Sequence, residues 1–485
     1  MKAALIALGP VCMWLAAAGQ ALSQVPQLPP QTAAPVPQTP GVTFSQQPPN
    51  PFLGSASMEK PVPGVLALSL EEAVNRGLRF NLGVLLNQQN TQFALGEKYR
   101  ARSALLPNLR ADIAGTDQQI NLKALGFPGG FPGVPSIVGP FTVLDARAYV
   151  SQDVLNFNAL HNLRSATQNL RAARYSYSDA RDIVALGVAG LYLQASAGLA
   201  RIDAAEAQVK TAQALYDQAV DKRGAGVVAG IEVTRAQVEL QAQQQRLIFF
   251  QNEYEKQKLN LARAIGLPLG QQFELSTRIP YTPPPSVSYE QALDQAYRSR
   301  ADYQNALALL RSAEEARKAA AAQHYPTLSA DANYGTIGPG LTDSHGTFSV
   351  SGTLSVPVFR GGRIRGEVLQ AEALLRQRRS ESEDLRGRID YEIRAAFLDL
   401  RANSEQVRVA ESALKLANQQ LAQSRDRFAA GVADNIEVVQ AQEAVATANE
   451  NYISSLYSYN LAKASLARAI GAAEKTIIQF LEGTP

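Results

Sequence analysis

Side chains that commonly carry chemistry are scarce in this chain of 485 residues. It has one cysteine, Cys12, and one tryptophan, Trp14, both in the first 20 residues. If that stretch is removed, disulfides, thiolate-held zinc and thiol nucleophiles are lost together. The three histidines, His161, His324 and His345, are far apart, and none stands in a metal-ligand spacing. Asp153 and His161 come nearest to an acid–base pair. No candidate nucleophile or phosphate-binding loop accompanies them, so catalysis is not expected, and no cofactor or metal is implied. The charges, 46 Lys+Arg against 43 Asp+Glu, leave a net of +3. That balance does not suit a nucleic-acid partner, which a broad basic face would hold. Hydrophobic residues make up 46% and charged residues only 18%, so much surface can be buried.

The elements that would position such residues begin with an export signal. Lys2 precedes an apolar, Ala-rich run, and Ala21-Leu22-Ser23 offers a small-x-small cleavage site, so 1–23 reads as a secretory signal peptide. Gly9-Pro10-Val11 before Cys12 makes a poor lipidation motif. After residue 23 no apolar run long enough for a spanning helix is expected. Residues 24–64 hold eleven prolines, and no charge occurs from Ala3 to Met58. This stretch is expected to be an extended or disordered Pro/Gln-rich linker.

The rest of the chain is a tandem duplication. Leu106-Pro107-Asn108-Leu109-Arg110-Ala111-Asp112 returns at an offset of 219 as Tyr325-Pro326-Thr327-Leu328-Ser329-Ala330-Asp331. Leu261-Ala262-Arg263-Ala264-Ile265-Gly266 returns at an offset of 205 as Leu466-Ala467-Arg468-Ala469-Ile470-Gly471. The halves are 65–280 and 281–485, divided near Pro283-Pro284-Pro285, and a longer loop in the first half accounts for the difference in offset. No proline occurs in 141–267 or in 358–484, which requires long helices. Val407, Ala410, Leu414, Ala417, Leu421, Ser424 and Phe428 step 3-4-3-4, and Val438, Ala441, Val445, Ala448 and Tyr452 resume the stepping after a break. A 3.5-residue period is a coiled-coil seam. The break, with Gly431 and Asp434-Asn435, is a turn followed by a helix cap. Helical hairpins are therefore expected over 158–266 and 361–471.

Strands are expected near 108–119, 142–153, 327–336 and 346–357, where apolar and polar residues alternate. Phe348, Val350, Gly352, Leu354 and Val356, for example, alternate with Ser and Thr. Such strands are half-buried or face lipid. Four strands cannot close a barrel, since about eight is the minimum. An exported chain with lipid-facing strands must share its barrel, and three copies would supply twelve strands. The alternative is a periplasmic coiled-coil spacer or scaffold without a pore, which would need no lipid-facing strands.

The duplicated unit resembles the TolC-type outer membrane efflux proteins over about residues 65–480. The resemblance rests on the G-V-x-x-x-I-E-V-x-x-A segments, the L-A-R-A-I-G helix ends, and Val356-Pro357-Val358-Phe359-Arg360-Gly361-Gly362 before a helix. It implies a mainly α chain with a small β part: tandem long coiled-coil hairpins plus four membrane strands, trimerising into an α-barrel/β-barrel channel-tunnel. The implied partners are two further copies, outer membrane lipid, a periplasmic adaptor protein and an inner-membrane RND or ABC pump. The implied activity is a passive exit duct for efflux or type I secretion. Gly226, Val227, Gly431 and Val432 would be adaptor-docking hairpin tips. Just beyond them, Glu232, Arg235, Glu437 and Gln440 would form a periplasmic gate, with Glu437 as the more exposed electrostatic filter and Glu232–Arg235 as a latch. Gly230 and Asn435 are the expected N-caps, which places each Glu in a first helical turn, where it also favours the helix dipole.

Overall fold

The structure is a computed structural model that describes residues 50–56, 60–126, 133, 135–277, 281–433 and 435–482. The expected signal peptide and most of the Pro/Gln-rich stretch lie outside these residues. In the first half, strand β1 (Leu66–Leu68) leads into α1 (Leu70–Phe80) and α2 (Leu82–Ser103), followed by β2 (Asn108–Asn121) and β3 (Ile137–Leu155). The long helix α3 (Phe157–Gly224), its return arm α4 (Gly230–Ile265) and β4 (Phe273–Leu275) complete the half. The second half runs α5 (Tyr289–Ser299), α6 (Ala301–Ala322), β5 (Thr327–Gly338), β6 (His345–Ser355), α7 (Arg363–Ala429), α8 (Asn435–Ala469) and α9 (Ala473–Glu482).

Local chemistry sets the joints. The Ser69 hydroxyl accepts the Glu72 N–H to start α1, and the Asn81 side chain accepts the Gly83 N–H to start α2. Ser288 and Gln291 form a reciprocal capping box at α5. Asn156 accepts the Ala159 N–H at 2.9 Å and so begins α3. With 68 and 67 residues, α3 and α7 each extend ~100 Å at 1.5 Å per residue.

Helices pack in the order α2-α3-α6-α7 beside the sheet and α4-α3-α8-α7 along the hairpins. The expected seam is the buried one: Val407, Ala410, Ala417, Ser424 and Phe428 on α7 face Val438, Ala441, Val445 and Ala448 on α8. Two equivalent cores close the far end of the hairpins. In the first, α1, α3, the end of α4 and α9 pack around Leu70, Val188, Tyr192, Leu261 and Ile477. In the second, α5, α7 and α8 pack around Ala292, Ile389, Ile393 and Leu466. Each fully enclosed Leu or Ile contributes about 1.5–3 kcal/mol.

Two expectations need correction. The linker is not extended throughout. Phe52 packs against the first core, the Asn81 amide donates to the Phe52 carbonyl at 2.8 Å, the Ser55 hydroxyl donates to the Arg263 carbonyl at 2.6 Å, and Val62 N–H donates to the Gln271 side chain at 2.7 Å. A single aromatic residue and a few backbone groups suffice to dock the segment that follows Asn50. Helix α3 also contains a stretch long and apolar enough to cross a membrane. Half of that stretch is buried, with Val184, Ala185, Val188, Ala189, Tyr192 and Leu193 in the first core, so its apolar character serves packing in that core.

The sheet runs β2-β3-β5-β6, antiparallel throughout. β3 starts earlier than the alternation of 142–153 suggests, and the loop after β2 spans 122–136 against 339–344 in the second half. A separate two-stranded parallel pairing of β1 with β4 had no clear signal, since each strand has only three residues.

Candidate functional site

The register sorts the sheet into two faces. One cross-strand row is Leu109–Val150–Ala332–Val350, and another is Ala111–Ala148–Tyr334–Phe348. The intervening rows are Arg110–Tyr149–Asn333–Ser349 and Asp112–Arg147–Gly335–Thr347. Period-two alternation in four strands thus stays in phase, giving an apolar and a polar face. On the apolar face Leu109, Ile113, Tyr334, Phe348 and Val350 are largely exposed. Apolar outside and polar inside is the arrangement of a membrane β-barrel wall. On the polar face Arg110 pairs with Asp112 at 2.9 Å and Arg147 with Asp145 at 2.8 Å.

At the opposite end, the two hairpin turns have the same construction. After α3, Gly226 N–H donates to the Arg223 carbonyl and Val227 N–H to the Lys222 carbonyl, each at 2.9 Å. After α7, Gly431 N–H donates to Phe428 and Val432 N–H to Arg427, at 3.2 and 3.0 Å. Both are Schellman turns, and both glycines take the required positive φ, 74° and 73°. Val227 and Val432 point outward, 71% and 66% exposed.

The four expected gate residues lie just beyond. Arg235 donates to Glu232 at 2.8 Å, and the other Glu232 oxygen is enclosed without a hydrogen-bond partner. Glu437 is the more exposed of the two carboxylates, 39% against 19%. It is held across the hairpin, where it forms an ion pair with Arg427, Nε to Oε1 3.2 Å, and accepts from the Ser424 hydroxyl at 3.3 Å. Gln440 is exposed. The expected caps shift by one residue: Ala229 is the extended N-cap of α4 and Gly230 its first helical residue, while α8 already begins at Asn435. Asp434 lies outside the described residues.

Sequence reasoning missed Lys222. Its ammonium donates to the Phe428 carbonyl at 3.1 Å and sits 3.9 Å from the centre of the Phe428 ring. Phe428 packs with Leu215 and Val438, so this contact joins the two hairpin ends. A lysine in the last turn of a helix is the available signal, but its partner is 206 residues away. Asp153 and His161 do not pair with each other: Asp153 accepts from Asn156 at 2.7 Å, and His161 meets Glu315 at 2.7 Å. Among the described residues, no His, Cys, Asp and Glu cluster could hold a metal ion.

A lipid-matched strand wall continued by ~100 Å helical hairpins defines one segment of a membrane-anchored duct. The profile of the outer membrane efflux protein family matches residues 94–267 and 292–472, once in each half, and the chain belongs to that family. It is similar to the pyoverdine export outer membrane protein OpmQ of Pseudomonas putida, 23% identical over 340 residues that cover 68% of this chain and 71% of that protein. Among solved structures, the outer membrane protein VceC of Vibrio cholerae superposes with a TM-score of 0.73 at 18% identity, covering 84% of this chain and 97% of VceC. The CmeC outer membrane channel of Campylobacter jejuni gives 0.73 at 17%, covering 90% and 93%. The protein is an outer membrane channel component with a long periplasmic helical part, a passive duct for efflux. The family and these structural neighbours are channel proteins rather than enzymes.

Proposed function

We propose that three copies of this chain close into one channel-tunnel, which a periplasmic adaptor couples at the hairpin tips to an inner-membrane pump of the RND or ABC type. The supporting observation is that the chain ends in unsatisfied edges on both sides. β2 and β6 each have one unpaired side in the four-stranded sheet. In lipid, every unpaired backbone N–H or C=O costs several kcal/mol. The outer helices carry matching seams. Ile231, Val238 and Phe249 are exposed along α4, and Tyr391, Leu398, Val409 and Leu416 along α7. Steps of 7 and 11 residues keep each set on one helix face. Pairing β6 with the next copy's β2, and α7 with its α4, satisfies both kinds of edge, and threefold closure gives twelve strands and twelve helical arms.

At the entrance, threefold symmetry turns Glu437 into a ring of carboxylates that favours cations, and Glu232–Arg235 into a latch. The exposed Val227 and Val432 give the adaptor an apolar contact at each tip. Light scattering of the detergent-solubilised protein tests the assembly. A trimer mass is expected, and a monodisperse, lipid-inserted monomer overturns the proposal.

A further inference from the structure

The helical segments next to the sheet, 82–103, 157–178, 301–322 and 363–380, hold 14 Lys and Arg against 6 Asp and Glu, although the whole chain nearly balances at 46 against 43. The 157–178 segment contains no Asp or Glu. Glu315, Glu367 and Glu372 are taken by Lys318, Arg363 and Arg317. Arg164, Arg171 and Arg174 on α3 and Arg376 and Arg379 on α7 are exposed, and among the described residues none of them forms an ion pair. Arg171 and Arg174 recur as Arg376 and Arg379 at the same offset of 205 that relates the two helix ends. Contacts place these arginines on one flank of their helices. α2 and α6 occupy the other sides of α3, where the Thr91 hydroxyl and the Asn305 amide donate to the Ala173 and Ala172 carbonyls. Arg174 stands seven residues before Arg181, and Arg171 eleven before Asp182, each close to a whole number of turns. Arg181 and Asp182 both bond Glu474 of α9. On α7, Arg379 stands seven residues before Arg386, whose guanidinium lies 5.3 Å from the centre of the Tyr297 ring on α5. The basic flank therefore continues, toward the sheet, the face that α9 and α5 cover.

One exposed arginine paired with one carboxylate shifts an equilibrium by no more than about fivefold, so this flank would not hold a single small anion. A flexible polymer that presents many carboxylates engages several arginines at once, and its contacts multiply. Each guanidinium can take a carboxylate with two parallel hydrogen bonds, and successive arginines lie roughly 5–10 Å apart along each helix. Membrane phosphates do not reach this flank. Arg171 and Arg376 stand 14 and 13 residues into their helices. That is ~20 Å from the strands, against a headgroup layer only about 5–7 Å thick. We propose that the basic flank binds the carboxylate-bearing stem peptides of the peptidoglycan around the periplasmic part of the channel, and so ties the channel to the cell wall. Each chain carries the whole set of arginines. The contact therefore does not depend on trimer closure, which would repeat it around the tunnel.

The test is cosedimentation of the purified full-length protein, in mild detergent, with purified peptidoglycan sacculi. Sacculi whose carboxylates have been converted to amides and vesicles containing phosphatidylglycerol serve as alternative targets. The protein is expected to sediment with native sacculi and not with amidated ones. Binding should fall as ionic strength rises from about 0.1 M to 1 M, where the Debye length shrinks from ~10 Å to ~3 Å. A variant carrying Arg171→Gln, Arg174→Gln, Arg376→Gln and Arg379→Gln should bind native sacculi about tenfold more weakly, with its helical circular dichroism unchanged. A second variant removes the same charge from the hairpins through Lys210→Gln, Lys256→Gln, Arg408→Gln and Lys415→Gln, and should bind as the parent does. Failure to sediment with native sacculi, equal binding to amidated sacculi, or equal losses in the two variants overturns the proposal. So does binding to the vesicles in preference to sacculi, which would make the flank a membrane contact. Light-scattering mass on the same samples reports separately on the assembly.

Discussion

Lys463 is fully buried on α8, and its ammonium donates to the Thr282 hydroxyl. Burial pushes its pKa down to about 8 from a reference of 10.5. Below pH 8 the folded and unfolded chains are both charged, and the fold bears the full desolvation cost. Between about 8 and 10.5 the folded chain releases its proton first, so stability rises with pH by roughly 3 kcal/mol in all. Lys463→Met should raise the thermal midpoint at pH 7 and abolish that rise, both measurable by circular dichroism in detergent. At the tips, Glu437 is paired with Arg427, so in the proposed gate it would tune the entrance field rather than supply an isolated charge. In planar bilayers Glu437→Gln should lower cation selectivity, and Arg235→Ala should raise resting conductance. Unchanged values for both would reduce these residues to helix starts.

The hairpin turn is the element on which the proposed adaptor docking depends. No atom lies within 4 Å of where a Cβ would stand on Gly226 or Gly431. The glycines are therefore required by their positive φ rather than by crowding. Gly431→Ala should cost about 1 kcal/mol and leave export near normal. Gly431→Trp puts bulk on the exposed tip and should abolish export while trimers still reach the outer membrane, as cell fractionation and an export assay would show. Normal export by the Trp variant removes the tip from the adaptor interface. The inward-facing seam residues behave differently: Val438 is fully enclosed beside Leu215 and Phe428, so its truncation acts through packing.

For the whole molecule, the duplication makes one architecture serve twice. The contiguous order β2-β3-β5-β6 places two equivalent hairpins side by side, and the helices below follow the same sequence of neighbours. In such a unit β2 and β6 are left as free edges, which the proposed assembly pairs with other copies. Leu398→Glu on α7 or Phe249→Glu on α4 places a carboxylate on the seam proposed to meet the next copy. Either should shift the light-scattering mass from trimer to smaller species while the helical content of the chain persists. Trimers of undiminished stability in both variants would place the interface elsewhere.

Periodicity was legible without coordinates because it is a local property. A 3.5-residue step determined the inward side of α7 and α8, and a two-residue step determined the two faces of β2, β3, β5 and β6. Two proline-free runs with a glycine at each break were enough to place the hairpins, and the ordered repeat was enough to suggest the family. Tertiary structure decided what depends on the register between distant segments. It brought Lys222 to Phe428, gave Glu437 to Arg427, buried Lys463 beside Thr282 and docked Phe52 on the first core. It also buried half of the most apolar stretch of α3 and gathered Gln243, Gln442 and Arg425 beside one groove. None of these follows from composition or spacing, because a helix turned by one residue, ~100°, presents a different side chain to its neighbour while its own pattern reads the same.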